Sequence, residues 1–142
     1  TDYLPKEKAR YLMGVGDPID LIENSLRGID LFDCVSPTRL ARHGHAYTKN
    51  GKINLKNSKY KEDFTPVEEG CKCYACQSYT KAYIKHLINA DETFGARLLS
   101  IHNIYFLENL MKEIRENIKT GTLEQYRDKF ILSYYGEGYE YK

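Results

Sequence analysis

Cys71, Cys73 and Cys76 fall within six residues, CKCYAC. Thiolates at this spacing in a tight turn can converge on one ion, and zinc then needs one further sulfur or nitrogen to close its tetrahedron. The candidates for the fourth ligand are Cys34, His43, His45, His86 and His102. Cys34 lies in an apolar run, where a small buried cysteine is the ordinary reading. His43 and His45 precede a hairpin and are poorly placed. His102 opens a long amphipathic helix, and a ligand there would staple that helix to the cysteine turn. It is therefore the preferred fourth ligand, giving Cys3His coordination. Four filled positions leave none for water, so the expected Zn2+, one per chain, is structural and contributes folding energy. The alternative is three reduced core cysteines without metal.

The second candidate for chemistry is Asp33, near the C-terminal end of the apolar run IDLFDCVSP (29–37). In parallel α/β folds catalytic groups emerge at that end of the strands, where the loops form the pocket. A carboxylate there, beside a stretch that binds polyanions, could attack a sugar anomeric carbon and form a covalent glycosyl intermediate. The plain alternative is a strand-end aspartate accepting hydrogen bonds from turn amides, for example around Thr38. Asp30 is a weaker candidate, deeper in the strand.

The polyanion-binding stretch is legible in the charge pattern. Residues 34–61 hold Arg39, Arg42, Lys49, Lys52, Lys56, Lys59 and Lys61 and no Asp or Glu, while the other 14 Lys and Arg share the chain with all 20 acidic residues. A local block of this kind inside a chain of net charge +1 is the electrostatic footprint for a polyanion, and its alternative is a solvated basic face.

The elements that must position these groups follow from pattern and punctuation. RYLMGVG (10–16) reads as a short buried strand ending in a glycine turn. DPIDLIENSLRG (17–28) reads as a helix with Asp17 at the N-cap, Pro18 at the first position and Gly28 past its end, burying Ile19, Leu21, Ile22 and Leu26. Residues 29–37 form the next strand, stopped by Pro37. Strand, helix, strand is a parallel βαβ unit. HAYTKNGKINLKN is a hairpin turning at Asn50-Gly51. Three helical segments follow the cysteines. SYTKAYIKHLINADE presents Tyr79, Tyr83 and His86 on one face, either for packing or for a second subunit. IHNIYFLENLMKEIRENIKTG carries a stripe of Ile104, Leu107, Leu110, Met111, Ile114 and Ile118, and TLEQYRDKFILSYYG has Thr122 as its cap. No apolar run reaches the roughly 18–20 residues needed to cross a bilayer. Clustered cysteines fit metal binding in a reducing compartment, so a cytoplasmic address is expected, without a membrane partner. The chain opens on Thr1 and supplies two such strands, too few to complete either a doubly wound sheet or an eight-stranded α/β barrel, so it reads as part of a longer protein.

RYLMGVGDP, GIDLFDCVSPTR, CKCYAC and the His102-Asn103 pair, with that histidine 26 residues after Cys76, together resemble the C-terminal part of the bacterial-type tRNA-guanine transglycosylases, the queuine tRNA-ribosyltransferases. The resemblance covers about residues 4–135. It implies an α/β fold, the C-terminal fragment of an irregular (β/α)8 TIM barrel with a zinc-binding subdomain and C-terminal helices. On that reading residues 1–48 are the last βα units with the nucleophile and the RNA-recognition turn, 49–103 the hairpin and zinc subdomain, and 104–142 the helical end. It implies exchange of guanine 34 of the anticodon, in tRNAs with a GUN anticodon (Asp, Asn, His, Tyr), for preQ1 on the route to queuosine. Asp33 matches the family nucleophile, which forms the covalent ribosyl intermediate. The zinc ligands match Cys71, Cys73, Cys76 and His102. An RNA-binding loop matches Gly14, Val15, Gly16, Asp17, Pro18, Ile19 and Asp20. Wobble-base recognition matches Thr38, Arg39, Leu40, Ala41 and Arg42, and the wall of the base pocket matches Met13.

The resemblance also implies a homodimer through Tyr79, Tyr83 and His86. The commoner family turn is P-T-R-N-A-R-N-G; here positions 40 and 43 are Leu and His, while Arg39 and Arg42 are kept. The family's second catalytic Asp and its glycine-rich base pocket lie upstream, so these 142 residues alone are not expected to turn over. The competing reading is a noncatalytic zinc-containing RNA-binding or partner-subunit module.

Overall fold

The computed structural model describes residues 3–141. They divide into two compact units, one built from residues 3–36 and 109–141, the other from residues 37–108.

In the first unit, β1 (Tyr11–Leu12) and β2 (Leu31–Phe32) pair in parallel, Tyr11 opposite Leu31 and Leu12 opposite Phe32, with α1 (Pro18–Leu26) between them in the chain. This is the expected βαβ order. The strands are shorter than the apolar runs that announced them. Just past β1, Gly14 turns the chain at φ +71°, and just past β2, the Asp33 side chain and the Cys34 sulfur take backbone N–H groups away from any ladder. Pro37 does not stop a strand. It lies in the first turn of a helix the sequence reading missed, α2 (Ser36–Arg42), where proline suits the early positions.

Asp17 occupies the N-cap of α1 and Pro18 its first turn, as expected, although the Asp17 side chain makes no capping bond. The helix ends in a Schellman arrangement: Ile29 N–H donates to Asn24 O and Gly28 N–H to Ser25 O, both at 3.0 Å. Of the expected stripe, Ile19, Leu21 and Ile22 are buried and Leu26 is half-buried. α1 packs against α6 (Leu123–Tyr135), which buries Leu123, Phe130 and Tyr134. Glu23, buried in α1, is held by Arg27 at 2.9 Å and by Arg127 of α6 at 3.7 Å. Thr122 does stand at the α6 cap position, but its hydroxyl donates to Asn117 Oδ1 instead of capping.

In the second unit, β3 (His45–Thr48) and β4 (Gly51–Asn54) form the antiparallel hairpin. Its turn sits one residue earlier than Asn50-Gly51: Thr48 pairs with Gly51, so Lys49 and Asn50 make the bend and Gly51 opens β4 at φ +103°. A 3-10 turn (Ser58–Tyr60) follows, then α3 (Tyr74–Ser78), α4 (Lys81–Asn89) and the long α5 (Thr93–Thr120), whose last part belongs to the first unit. The core gathers Ala41, Ala46, Leu55, Val67, Ala75, Ile84, Leu87, Leu98 and Leu99 around Cys73 and Cys76.

α5 begins well before the residue that seemed to open it. His102 is inside the helix, and the buried face there runs through Leu98, Leu99, His102 and Asn103. Of the expected stripe, Leu110 and Ile114 are buried, Leu107 and Met111 half-buried, and Ile104 and Ile118 exposed. An apolar-only pattern misses the true face because two of its members are polar residues with buried partners. Among the described residues no helix is long and apolar enough to cross a membrane.

Candidate metal centre and strand-end carboxylate

The cysteine turn is built by hydrogen bonds that start a helix. Cys73 is the N-cap of α3, its sulfur accepting from Cys76 N–H at 3.4 Å, and Gln77 N–H donates to Cys73 O at 3.0 Å. Cys71 enters this turn with its N–H on Glu68 O. The three sulfurs therefore face one point. His102 Nδ1 stands 3.8, 3.6 and 3.3 Å from Sγ of Cys71, Cys73 and Cys76. All four donor atoms lie within 4.8 Å of one another.

These distances can be compared with what an ion demands. Bonds of about 2.3 Å to sulfur and about 2.0 Å to nitrogen at tetrahedral angles separate the two donor types by roughly 3.5 Å. The observed spread of 3.3–3.8 Å brackets that value. The donor set also fits: Cys73, Cys76 and His102 are buried, and four converging groups that could all carry protons have no apolar purpose. Cys34, His43, His45 and His86 take no part in the cluster.

The histidine is oriented from behind. Its Nε2 donates to Tyr47 O at 2.7 Å, which leaves Nδ1, the nitrogen facing the sulfurs, as the one an ion could take. The next residue in the chain completes the grip on the same hairpin residue. Asn103, fully buried, accepts from Tyr47 N–H with Oδ1 at 3.0 Å and donates with Nδ2 to Pro37 O at 3.0 Å and His45 O at 3.1 Å. Two consecutive helix residues thus hold both backbone groups of Tyr47. Without an ion the cluster retains protons. The hydrogen bond with Cys76 does most to bring the Cys73 thiol down to about 4, while the same bond drives Cys76 upward. Burial disfavours a charged His102, but the sulfurs of Cys71 and Cys73 outweigh it and lift the imidazole to about 10. A divalent cation would displace those protons.

Asp33 sits at the C-terminal end of β2 and is exposed. Its Oδ1 accepts from the Tyr11 hydroxyl at 2.5 Å and from Gly14 N–H at 3.0 Å; among the described residues no donor meets Oδ2. The Tyr11 bond first, and the Gly14 amide second, hold the carboxyl below its ordinary range, and the Tyr11 phenol is raised in return. The turn amide it meets is that of Gly14, not one near Thr38. Gly16 closes this loop against the next strand: a Cβ there would lie 2.3 Å from Cys34 Cβ, so only glycine fits the approach. Asp30 is engaged by the Arg10 N–H at 2.8 Å.

Met13 is 73% exposed directly after β1. Gly14 to Asp20 form the β1–α1 loop and the first turn of α1; within them Gly16, Pro18 and Ile19 are buried, while Gly14 is exposed and Val15, Asp17 and Asp20 are half-buried. Thr38, Arg39, Leu40, Ala41 and Arg42 lie on α2, with Arg39 and Arg42 exposed and Ala41 in the core. All seven cations of residues 34–61 are exposed. Tyr79 lies outside α4, in extended backbone between α3 and α4, so the three aromatics are not one helical stripe. Tyr79 stacks on Tyr83 at 5.4 Å and meets Phe94 edge-on at 5.5 Å, whereas Tyr83 and His86 are exposed.

The family model for queuine tRNA-ribosyltransferase matches residues 1–136. The chain belongs to the queuine tRNA-ribosyltransferase family. Proteins of that name from Streptococcus mutans serotype c and Streptococcus uberis are 56% and 55% identical to it over 134 residues, which is 94% of this chain and 35% of theirs. The queuine tRNA-ribosyltransferase of Dictyoglomus turgidum is 57% identical over 131 residues, 92% of this chain and 34% of its own. The chain thus spans about a third of the length of the curated relatives it matches. Against that family the mixed α/β chain, its Cys3His cluster and its C-terminal helices are the expected parts.

Two features escaped the sequence reading. One is Tyr11, which faces Asp33 across the parallel pair. The other is the clamp made by Asn103, which the sequence offers only as the neighbour of His102 in a two-residue motif.

Proposed function

We propose that the chain is the nucleophile-bearing and zinc-bearing part of a tRNA-guanine transglycosylase that exchanges guanine 34 for preQ1 through an Asp33-ribosyl intermediate. The carrying observation is the geometry of Asp33: exposed, with one oxygen anchored by Tyr11 and Gly14 and the other meeting no donor among the described residues. Its Oδ2 attacks C1′ of the ribose and the C1′–N9 bond breaks, the electron pair leaving with guanine. The incoming base then attacks C1′ and the carboxylate departs. The acid that serves the leaving guanine and the glycine-rich base pocket come from outside these residues.

In this reading Met13 forms one wall of the base pocket, and the loop from Gly14 to Asp20 carries the RNA backbone through its exposed and half-buried members. Arg39 and Arg42, exposed one turn apart on α2, contact the anticodon next to the wobble base, with Thr38, Leu40 and Ala41 shaping that helix. The lysines of the hairpin region extend the cationic surface along a tRNA with a GUN anticodon. Cys71, Cys73, Cys76 and His102 hold one Zn2+, which supplies a closed structural cross-link and no reacting position. The exposed Tyr83 and His86, continued by Tyr79, suit a homodimer contact. A cytoplasmic location follows from a tRNA substrate and reduced thiolate ligands.

The test is a trapping experiment with the family-length protein that carries this segment. With an anticodon stem-loop and 9-deazaguanine, it is expected to form a denaturant-resistant protein–RNA adduct. Asp33→Ala is expected to form none. An adduct with Asp33→Ala would remove Asp33 from the role and leave a zinc-containing RNA-binding module.

A further inference from the structure

The two oxygens of Asp33 are not equivalent, and the difference has a consequence for the reaction proposed above, on which this inference rests. Tyr11 and Gly14 both donate to Oδ1, at 2.5 and 3.0 Å, while Oδ2 meets no donor among the described residues. The two donors come from different places. Tyr11 is in β1, directly paired with Leu31 two residues before Asp33, and Gly14 is in the turn after β1. Tyr11 is 53% exposed in this chain, so its ring is not a core member, and the hydrogen bond its hydroxyl makes is to Asp33. A phenylalanine would serve any packing purpose at that position equally well. It is also the one titratable side chain among the described residues that hydrogen-bonds Asp33; the neighbouring Asp30 is occupied by the Arg10 backbone.

We infer that Tyr11 is a positioning residue which, with the Gly14 amide, holds Oδ1 and assigns Oδ2 as the attacking and leaving atom. In the first half-reaction the Oδ2 lone pair forms the bond to C1′ while the C1′–N9 pair leaves with guanine, and Oδ1 becomes the carbonyl oxygen of the ester. In the second, the base nitrogen forms its bond to C1′ and gives up its proton to the group, from outside these residues, that had protonated the leaving guanine, while the C1′–Oδ2 pair returns to the carboxylate. Negative charge is then regained partly on Oδ1, where the phenol and the amide already wait. Hydrogen bonds to that oxygen strengthen as the ester breaks, so they favour its resolution more than its formation.

The variant is Tyr11→Phe in the family-length protein, assayed for base exchange, for its pH profile and for the covalent fraction at steady state. Loss of one hydrogen bond to a charged group is expected to lower kcat about tenfold, and KM for tRNA is expected to fall with it, because the covalent enzyme accumulates when resolution is the slowed step. Asp33 loses the first of the two donors that favour its charged form, so the acid limb of kcat/KM is expected to move to higher pH. Because resolution slows more than formation, the trapped fraction is expected to rise. A variant with wild-type kcat and an unmoved acid limb, or one whose loss lies wholly in KM, overturns the inference. Should Tyr11→Phe prove unstable, 3-fluorotyrosine at position 11 is a stronger donor and must move the limb to lower pH; an unmoved limb again overturns it. The Asp33→Ala trap separates the two levels: an adduct there defeats the proposed reaction itself, whatever Tyr11→Phe does.

Discussion

Replacing Asn103 by alanine removes three hydrogen bonds at once from the interior of the unit that carries the Cys3His cluster. The Tyr47 N–H and Pro37 O are left in fully buried surroundings and His45 O in a partly buried one. A buried backbone group without a partner costs about 1–3 kcal/mol. Water entering the space of the lost amide will re-satisfy some of this, so the expected destabilisation is roughly 3–4 kcal/mol. The effect reaches the metal through one shared residue. Tyr47 O orients His102 Nε2 at 2.7 Å, and once Tyr47 N–H is released the strand that aims the imidazole is held from one side only. Partners of this kind are worth about 10–100-fold in metal affinity. Urea unfolding gives the first quantity, and zinc transfer to a chromogenic chelator gives the second. A loss under about 1 kcal/mol with wild-type zinc retention would show that the clamp on Tyr47 does not support the centre.

Three further outcomes follow from the same geometry. Chelation, or His102→Ala, is expected to release one metal ion per chain and to loosen residues 37–108, read as loss of far-ultraviolet helicity and faster proteolysis there; a metal-free sample with unchanged helicity contradicts this. Gly16→Ala places a Cβ against the Cys34 Cβ and is expected to cost about 1–3 kcal/mol. Cys34→Gly should recover part of that loss and Cys34→Ala none, because the clash is with the β-carbon and not the sulfur. Arg39→Ala and Arg42→Ala are each expected to weaken anticodon stem-loop binding and to reduce its salt dependence by about one phosphate contact, measured by fluorescence anisotropy between low and moderate salt. A salt slope identical to wild type would remove α2 from the RNA surface.

The parts of this fold that could be read from the chain were those with local punctuation. Asp17-Pro18 and Gly28 bracket α1, and alternation around a glycine announces the hairpin. Thiol spacing is local as well, so the cysteine turn was legible, and His102 joined it because a ligand must come from some distant element. What escaped depends on contacts across the chain. α2 looked like a turn because Pro37 and the arginines carry no apolar stripe, yet Pro37 and Ala41 bury one side of it. The start of α5 was hidden because its inner face includes His102 and Asn103, polar side chains whose cost of burial is removed by the cluster and by the hairpin backbone. Tyr79 reads as helical by spacing, but the extended backbone before α4 breaks the period. Tyr11 gave no signal, since 22 residues separate it from Asp33 and only the parallel register brings them together.

The most direct measurement maps the covalent bond. The family-length protein, trapped with stem-loop RNA and 9-deazaguanine, is digested with nuclease and protease and the products are sequenced by mass spectrometry. The ribosyl mass is expected on the peptide spanning Gly28 to Arg39, localised to Asp33. Its appearance on any other carboxylate, with Asp33 unmodified, would contradict the assignment of this strand-end group as the nucleophile.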